Sequence, residues 1–186
     1  MDQRALVERA GQGDHDAFAV LATAASARLD AAARLILRDP ELARDAVQNT
    51  LVRAWRDLPG LRDPDRFDAW LHRLLVNSSL DEARRRRRRP IEVEIKTIDE
   101  PSPSDSAGRL ADRDLVERAL VRLDPEHRAL VVLHYYLGYP LPEAASSLGI
   151  SLPAAKSRLH RAMAGLRRSM TADASVVPGL EGGRTA

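Results

Sequence analysis

Asp39-Pro40-Glu41-Leu42-Ala43-Arg44-Asp45-Ala46-Val47-Gln48-Asn49-Thr50-Leu51-Val52-Arg53-Ala54-Trp55-Arg56-Asp57-Leu58-Pro59-Gly60 spells a helix together with both of its ends. Asp39 is an N-cap residue and Pro40 suits the first helical position, where a missing N–H costs nothing. Leu42, Ala46, Val47, Leu51, Ala54, Trp55 and Leu58 then recur at spacings of three and four, one apolar stripe of a 3.6-residue period. Pro59-Gly60 stops the run. The same start signal stands at Asp63-Pro64, before Phe67, Trp70, Leu71, Leu74 and Leu75, in a helix expected to continue toward the arginines at 84–89. It stands again at Asp124-Pro125, before Leu130, Val131, Leu133, His134 and Leu137, with Gly138 as terminator. Upstream, Asp14 can cap a helix carrying Phe18, Leu21, Ala25, Leu29, Ala32 and Ile36. No alternating apolar pattern of strand length competes in this first half, so the expected fold class is all-α.

Composition divides the chain. Six arginines run from Arg84 to Arg89 and meet Pro90, after which Glu92, Glu94, Asp99, Glu100 and Asp105 face the single Lys96. Pro101-Ser102-Pro103-Ser104 supplies neither helix-compatible backbone nor apolar anchors, so the segment has little to bury against its ordering entropy. The reading is two small helical domains, residues 1–90 and 111–170, joined by a flexible acidic linker over 91–110 and followed by a frayed tail over 171–186. The second lobe opens with Leu115, Ala119, Leu120 and Leu123. It ends in a short helix over 141–148, Gly149 in a left-handed turn, and a last helix capped by Ser151 and running to about Arg168, the pattern of a helix-turn-helix.

Charge placement carries the functional signal, because the 186 residues hold 29 basic and 27 acidic side chains and a formal net charge of only +2. The last helix offers Lys156, Arg158, Arg161, Arg167 and Arg168, with no acid between Ala144 and Ala172 to oppose them. In a helix-turn-helix the N-terminal part of the second helix enters the major groove, which puts Ser151, Ala154, Lys156, Ser157 and Arg158 at base edges and residues such as Arg161 at phosphates. The bland alternative is a solvated face with cations at a helix C-terminus. Asn77, Ser78 and Ser79 can hydrogen-bond to bases or sugar. Phe67 and Trp70 flank a Pro/Gly loop that could accommodate a base, or they pack in the core; Trp55 is expected in the core.

Other chemistries find little support. With no cysteine there is no disulfide framework, thiol nucleophile or Cys-ligated metal, and the five His are scattered, so no metal and no cofactor is expected. Asp68 and His72 share the i,i+4 spacing, but no carboxylate cluster, phosphate loop or nucleophile elbow accompanies them, and no catalytic residue is assigned. The N-terminus lacks a basic region ahead of an apolar core, and no stretch approaches 18 apolar residues, so membrane insertion is not expected and the cytoplasm is. Residue chemistry alone leaves open a helix-turn-helix regulator that acts without polymerase, and an RNA-binding protein.

A resemblance adds to this. Gly13-Asp14-His15-Asp16-Ala17-Phe18, Asp45-Ala46-Val47-Gln48-Asn49-Thr50-Leu51-Val52-Arg53-Ala54-Trp55, Trp70-Leu71-His72-Arg73-Leu74-Leu75-Val76-Asn77 and Asp81-Glu82-Ala83-Arg84-Arg85 resemble region 2 of bacterial sigma factors of the extracytoplasmic-function (ECF) group. Leu123-Asp124-Pro125-Glu126-His127-Arg128, Glu143-Ala144-Ala145, Leu148-Gly149-Ile150-Ser151 and Lys156-Ser157-Arg158-Leu159-His160-Arg161-Ala162 resemble region 4. The likeness runs from about residue 5 to 169.

It implies a dissociable subunit of RNA polymerase without chemistry of its own. Asp45, Gln48, Asn49 and Arg53 would dock on the largest catalytic subunit of core polymerase. Phe67, Trp70, Asn77, Asp81, Arg84 and Arg85, with the Leu58–Arg66 loop, would hold the melted minus-10 strand. Ser151, Ala154, Lys156, Ser157, Arg158 and Arg161 would read the minus-35 element, and region 4 would touch the flap of the second-largest subunit. Partners so implied are core RNA polymerase, promoter DNA and an anti-sigma factor. Two departures stand out: Asn49 replaces the usual Glu, and Ala154-Ala155 replace the usual Thr-Val pair.

Overall fold

The computed structural model describes residues 2–88, 120 and 123–174, with side chains up to residue 165. The predicted linker over 91–110 and the predicted helical residues Leu115 and Ala119 lie outside the described residues, as does the tail beyond 174. Seven α-helices are described: α1 Gln3–Gly11, α2 His15–Leu37, α3 Pro40–Asp57, α4 Phe67–Arg88, α5 Pro125–Val131, α6 Leu141–Ser147 and α7 Leu152–Ala174. No strand occurs among the described residues.

The Asp starts work as their chemistry requires. Asp14 accepts from the Ala17 N–H at 3.0 Å, Asp39 from Glu41 and Leu42 at 3.0 and 3.1 Å, Asp63 from Asp65 at 3.1 Å and Asp124 from His127 at 2.9 Å. Each carboxylate satisfies N–H groups that a first turn leaves unpaired. Burial alone would push Asp39 up, but the Leu42 N–H and the Arg86 guanidinium outweigh it and hold the carboxyl below its ordinary value. Pro64 starts not an α-helix but one 3-10 turn, Pro64–Arg66, from which α4 proceeds; Leu58–Gly60 forms a similar turn.

Helix α1 has only a faint signature in the sequence, since it buries only Leu6, Val7 and Ala10. It lies across the loop between α3 and α4, where the Arg4 guanidinium meets Asp65 at 2.7 Å. The buried line of α3 also differs from the expected one. Ala43, Ala46, Thr50 and Ala54 are fully buried, while Leu42, Val47, Leu51 and Trp55 are only partly covered. Helix α3 packs on both α2 and α4, and close approach of three backbones selects small residues at the centre and places large ones at the flanks. Trp55 is half-buried, its ring 4.4 Å from His15 and 5.1 Å from Phe18.

In the second lobe the helix from Pro125 does not stay α to its end. It widens into a π-turn over Val132–Tyr136, with the Leu137 N–H bonded to the Val132 carbonyl at 2.9 Å. Ala144, Ala145 and Ala155 are buried where α6 meets α7. Helix α7 runs to Ala174, six residues past the expected end and into the stretch read as a frayed tail.

The two lobes touch, and their buried residues form one continuous apolar cluster. Helix α4 carries more buried positions than one face can hold. Beyond Phe67, Leu71, Leu74 and Leu75 it buries His72, Val76, Ser79 and Leu80, a second stripe at spacings of three and four. Along this stripe the His72 ring meets Tyr139 of the other lobe, and Leu80 and Ala83 border a cleft closed by Asp124, Pro125 and Glu126. From α5 the Arg128 guanidinium reaches the Ile36 carbonyl at the end of α2, and also the Leu123 and Leu120 carbonyls at 2.7 and 3.4 Å. A cation there complements the negative end of the α2 dipole. Burial lowers its pKa to about 10, which leaves it charged at neutral pH.

Candidate nucleic-acid interface

The outward face of α3 carries Asp45, Gln48 and Asn49, all exposed, together with Val52, which is 63% exposed. Positions 45, 48, 49 and 52 lie at i, i+3, i+4 and i+7 and so share one face. Val52 is not among the docking residues expected from the sequence; its signal there is that it falls off the apolar stripe and one full repeat from Asp45. Arg53, expected with the docking residues, is half-buried, and its charge helps to lower the Asp57 carboxyl behind the stronger pairing with Arg56. Asn49 also ties two helices together, because its amide donates to Glu82 on α4 at 3.0 Å.

On α4, the expected strand-binding residues divide. Phe67 is 2% exposed and Trp70 is half-buried, their rings 6.0 Å apart. Phe67, expected at an unpaired base, has its ring buried in the core in this conformation. Ser78 and Ser79 are buried as well and cannot reach a strand from where they stand. Asn77 is half-buried, and Asp81 is exposed and accepts from Arg84 at 3.1 Å. Arg85 pairs with Glu82 at 2.9 Å, and Arg86 with Asp39. The arginine run is thus partly committed to tying α4 to the rest of the lobe. Arg87 and Arg88, both exposed, carry no ion pair among the described residues.

The helix-turn-helix is built as its sequence requires. Gly149 has φ +65°, where any other residue would crowd its own carbonyl. The Ile150 N–H returns to the Ala145 carbonyl at 3.0 Å, closing α6 and aiming the chain into α7. Ser151 is exposed, with its hydroxyl 3.4 Å from the Ala154 N–H, a loose cap. Pro153, Lys156, Ser157, His160 and Arg161 are exposed and fall at i, i+3, i+4, i+7 and i+8 of one stripe. Pro153 and His160 join this stripe without having been singled out in the sequence. Ala154 is half-buried beside it. Arg158 is half-buried too, because its guanidinium is held by Glu126 of α5 at 2.9 Å.

Acid-base chemistry gains nothing from Asp68 and His72. Asp68 accepts from Gln3 at 3.1 Å, while the His72 ring bonds the Tyr139 hydroxyl at 2.7 Å. Burial, with Arg28 nearby, lowers His72 to about 4, so it is neutral at physiological pH. Among the described residues no three His, Asp or Glu gather as metal ligands do, and no helix is long and apolar enough to cross a membrane.

Comparison with known proteins follows the same division. Residues 21–89 match the family model "Sigma-70 region 2", and residues 113–166 match "Sigma-70, region 4". The ECF RNA polymerase sigma factor SigL of Mycobacterium tuberculosis is 36% identical over 135 residues, 71% of this chain and 76% of its own. Among solved structures, CnrH in complex with the cytosolic domain of CnrY aligns with a TM-score of 0.65 at 34% identity, covering 92% of this chain and 98% of that one. The sigma factor RpoE of Bartonella quintana, solved with the anti-sigma factor NepR, aligns with a TM-score of 0.64 at 26% identity over 78% of this chain and 91% of that one. With both regions matched in order on helical lobes, the chain belongs to the sigma-70 family of RNA polymerase sigma factors, in the ECF group.

Proposed function

We propose that this chain binds core RNA polymerase, directs it to a set of promoters and helps to melt them, and is itself held in check by an anti-sigma factor. The observation that carries the reading is the pairing of two exposed faces, the Asp45–Gln48–Asn49–Val52 face of α3 and the basic stripe of α7, on the two matched regions. Residues 1–90 act as the docking and minus-10 domain, with Trp70, Asn77, Asp81, Arg84 and Arg85 at the melted strand, and Phe67 once its surroundings rearrange. Residues 111–170 act as the minus-35 domain, with Ser151, Ala154, Lys156, Ser157, Arg158 and Arg161 in or beside the major groove; residues 91–110 link the two, and 171–186 form a tail.

Capture of unstacked bases needs no hydrolysis of its own: binding the single strand shifts the melting equilibrium toward the open state. Polymerase does the chemistry, and the chain contributes recognition in the cytoplasm. The relative crystallised with an anti-sigma factor supports the inhibitory partner. The test is reconstitution with core polymerase. Co-purification followed by promoter-dependent transcription is the expected result, and a chain that binds duplex DNA yet ignores core polymerase would be a helix-turn-helix regulator instead.

A further inference from the structure

Building on the reading of the Leu58–Arg66 loop as part of the strand-binding set, we propose that α1 is a brace for that loop. Arg4 is its positioning residue and acts through Asp65: it holds the loop in place and cancels a carboxylate that a DNA strand would otherwise meet.

Helix α1, Gln3–Gly11, lies ahead of residues 21–89, the stretch matched as region 2. Its Leu6, Val7 and Ala10 are buried as it packs on α2 and on both 3-10 turns of the loop, Leu58–Gly60 and Pro64–Arg66. That seat brings two polar contacts to the far end of the loop. Arg4 donates through Nη1 to Asp65 Oδ2 at 2.7 Å and through Nε to Glu8 Oε1 at 3.1 Å, so a carboxylate one turn along α1 fixes the direction of the guanidinium. Beside it the Gln3 amide donates to Asp68 Oδ1, in the first turn of α4, at 3.1 Å.

Between Leu61 and Arg66 the chain is otherwise bonded to itself. Among the described residues the Leu61 N–H reaches the Leu58 carbonyl at 2.9 Å, the Arg66 N–H the Asp63 carbonyl at 3.1 Å, and the Asp65 N–H the Asp63 carboxylate at 3.1 Å. All three bonds stay inside the loop. Among the described residues, Arg4–Asp65 is the ion pair that ties this stretch to another helix.

Charge gives the tie a second consequence. The stretch sets Arg62 and Arg66 against Asp63 and Asp65, with Arg66 lying 3.7 Å from Asp63. Once Arg4 answers Asp65, the exposed Arg62, which carries no ion pair among the described residues, is available to a phosphate. Without Arg4, the Asp65 carboxylate opposes the strand's own negative charge. The Arg4–Asp65 pair is exposed on both sides and contributes little to the stability of the fold. Burial of Leu6, Val7 and Ala10 does that, so removing the Arg4 side chain changes the loop and leaves the lobe folded.

A double-substitution cycle of Arg4→Ala and Asp65→Ala in the full chain tests the brace. It is read by amide hydrogen exchange of the free protein, by affinity for core polymerase, and by retention of random single-stranded DNA oligonucleotides on the assembled holoenzyme. Arg4→Ala should speed exchange at Leu61, Asp65 and Arg66 about two- to fivefold and lower retention of the sequences the parent enriches by a similar factor. The thermal midpoint and polymerase affinity should not change. In the Asp65→Ala background the same substitution should add nothing to either effect. A loss of retention that persists without Asp65 would make Arg4 a direct strand contact and overturn the brace. Exchange that Arg4→Ala leaves alone, unaltered retention beside faster exchange, or a lowered thermal midpoint with lost polymerase affinity would overturn it too. If exchange follows the cycle in a chain that never binds polymerase, the hold of α1 on the loop stands and the proposed function falls.

Discussion

The side-chain amide of Asn49 on α3 donates to the carboxylate of Glu82 on α4 at 3.0 Å, and Glu82, 8% exposed, takes its second partner from Arg85 at 2.9 Å. This bond explains the departure of Asn49 from the family's usual Glu. A carboxylate at position 49 would face the buried carboxylate of Glu82, whereas an amide can donate to it. Asn49→Glu should therefore destabilise the first lobe by about 1–3 kcal/mol, the range for leaving a buried polar group badly matched. Glu82→Gln in the same chain should recover much of the loss. Urea unfolding of the single and double variants checks both; an additive double variant would show that the two residues do not communicate.

Docking should respond to the neighbours of Asn49 without loss of fold. Asp45→Ala with Gln48→Ala, or Val52→Asp alone, changes exposed positions off the buried Ala43–Ala46–Thr50–Ala54 line. Thermal stability is expected to stay within about 0.5 kcal/mol of the parent, while affinity for core polymerase falls. Circular dichroism beside a core-binding titration separates the outcomes, and unfolding of the double variant would make these residues structural.

Promoter reading should distinguish two arginines of α7. Arg158→Ala is expected to cost about 1–3 kcal/mol on a matched promoter and to relax preference at one minus-35 position, as the loss of a bidentate base contact does. Arg161→Gln should weaken all sequences alike and reduce the slope of log affinity against log salt by about 1. Binding to a panel of minus-35 duplexes at several salt concentrations reads both. Equal loss on every sequence for Arg158→Ala would make it a phosphate contact.

Acid should loosen the molecule through His72. Burial, reinforced by Arg28 and opposed by Asp68, lowers this imidazole from 6.5 to about 4 in the folded state. Between those values the unfolded or opened chain binds the extra proton, so stability is complete above about pH 6.5 and declines as pH falls toward 4, by on the order of 3 kcal/mol in all. Asp39 and Asp124, both held below their ordinary values, add losses only at lower pH. Denaturant melts from pH 7 to 4.5 should show the decline, and His72→Gln should flatten it. An unchanged slope in that variant would assign the acid sensitivity elsewhere.

Much of the architecture was legible because its signals are local. An Asp before a Pro caps a first turn whatever lies beyond it, which is why the α-helix starts at 39 and 124 are where the sequence puts them and why the turn capped at 63, although 3-10, leads into α4. Gly149 answers a backbone angle that few other residues tolerate, and no acidic residue between Ala144 and Ala172 opposes the cations of α7. Helix α1 escaped notice since three buried side chains in nine residues make a faint stripe. The sequence also misjudged which residues of α3 face inward, because periodicity gives the direction of a face but not how closely the next helix approaches.

Composition, periodicity and caps by themselves determined that this protein is helical, that an acidic stretch separates two helical segments of the sequence, and that its last helix carries a concentration of cations. How those lobes meet was decided only by the tertiary structure. Arg128 and Ile36 are 92 positions apart and His72 and Tyr139 are 67 apart. In sequence, Arg128 looks like any surface cation and His72 like one more polar residue of an amphipathic helix. Whether such groups are buried depends on the fit of two assembled surfaces, a property of shape and desolvation that no local pattern encodes. The same fit turns the second face of α4 from solvent toward the other lobe, and brings Arg84 of α4 and Arg158 of α7 to Glu126.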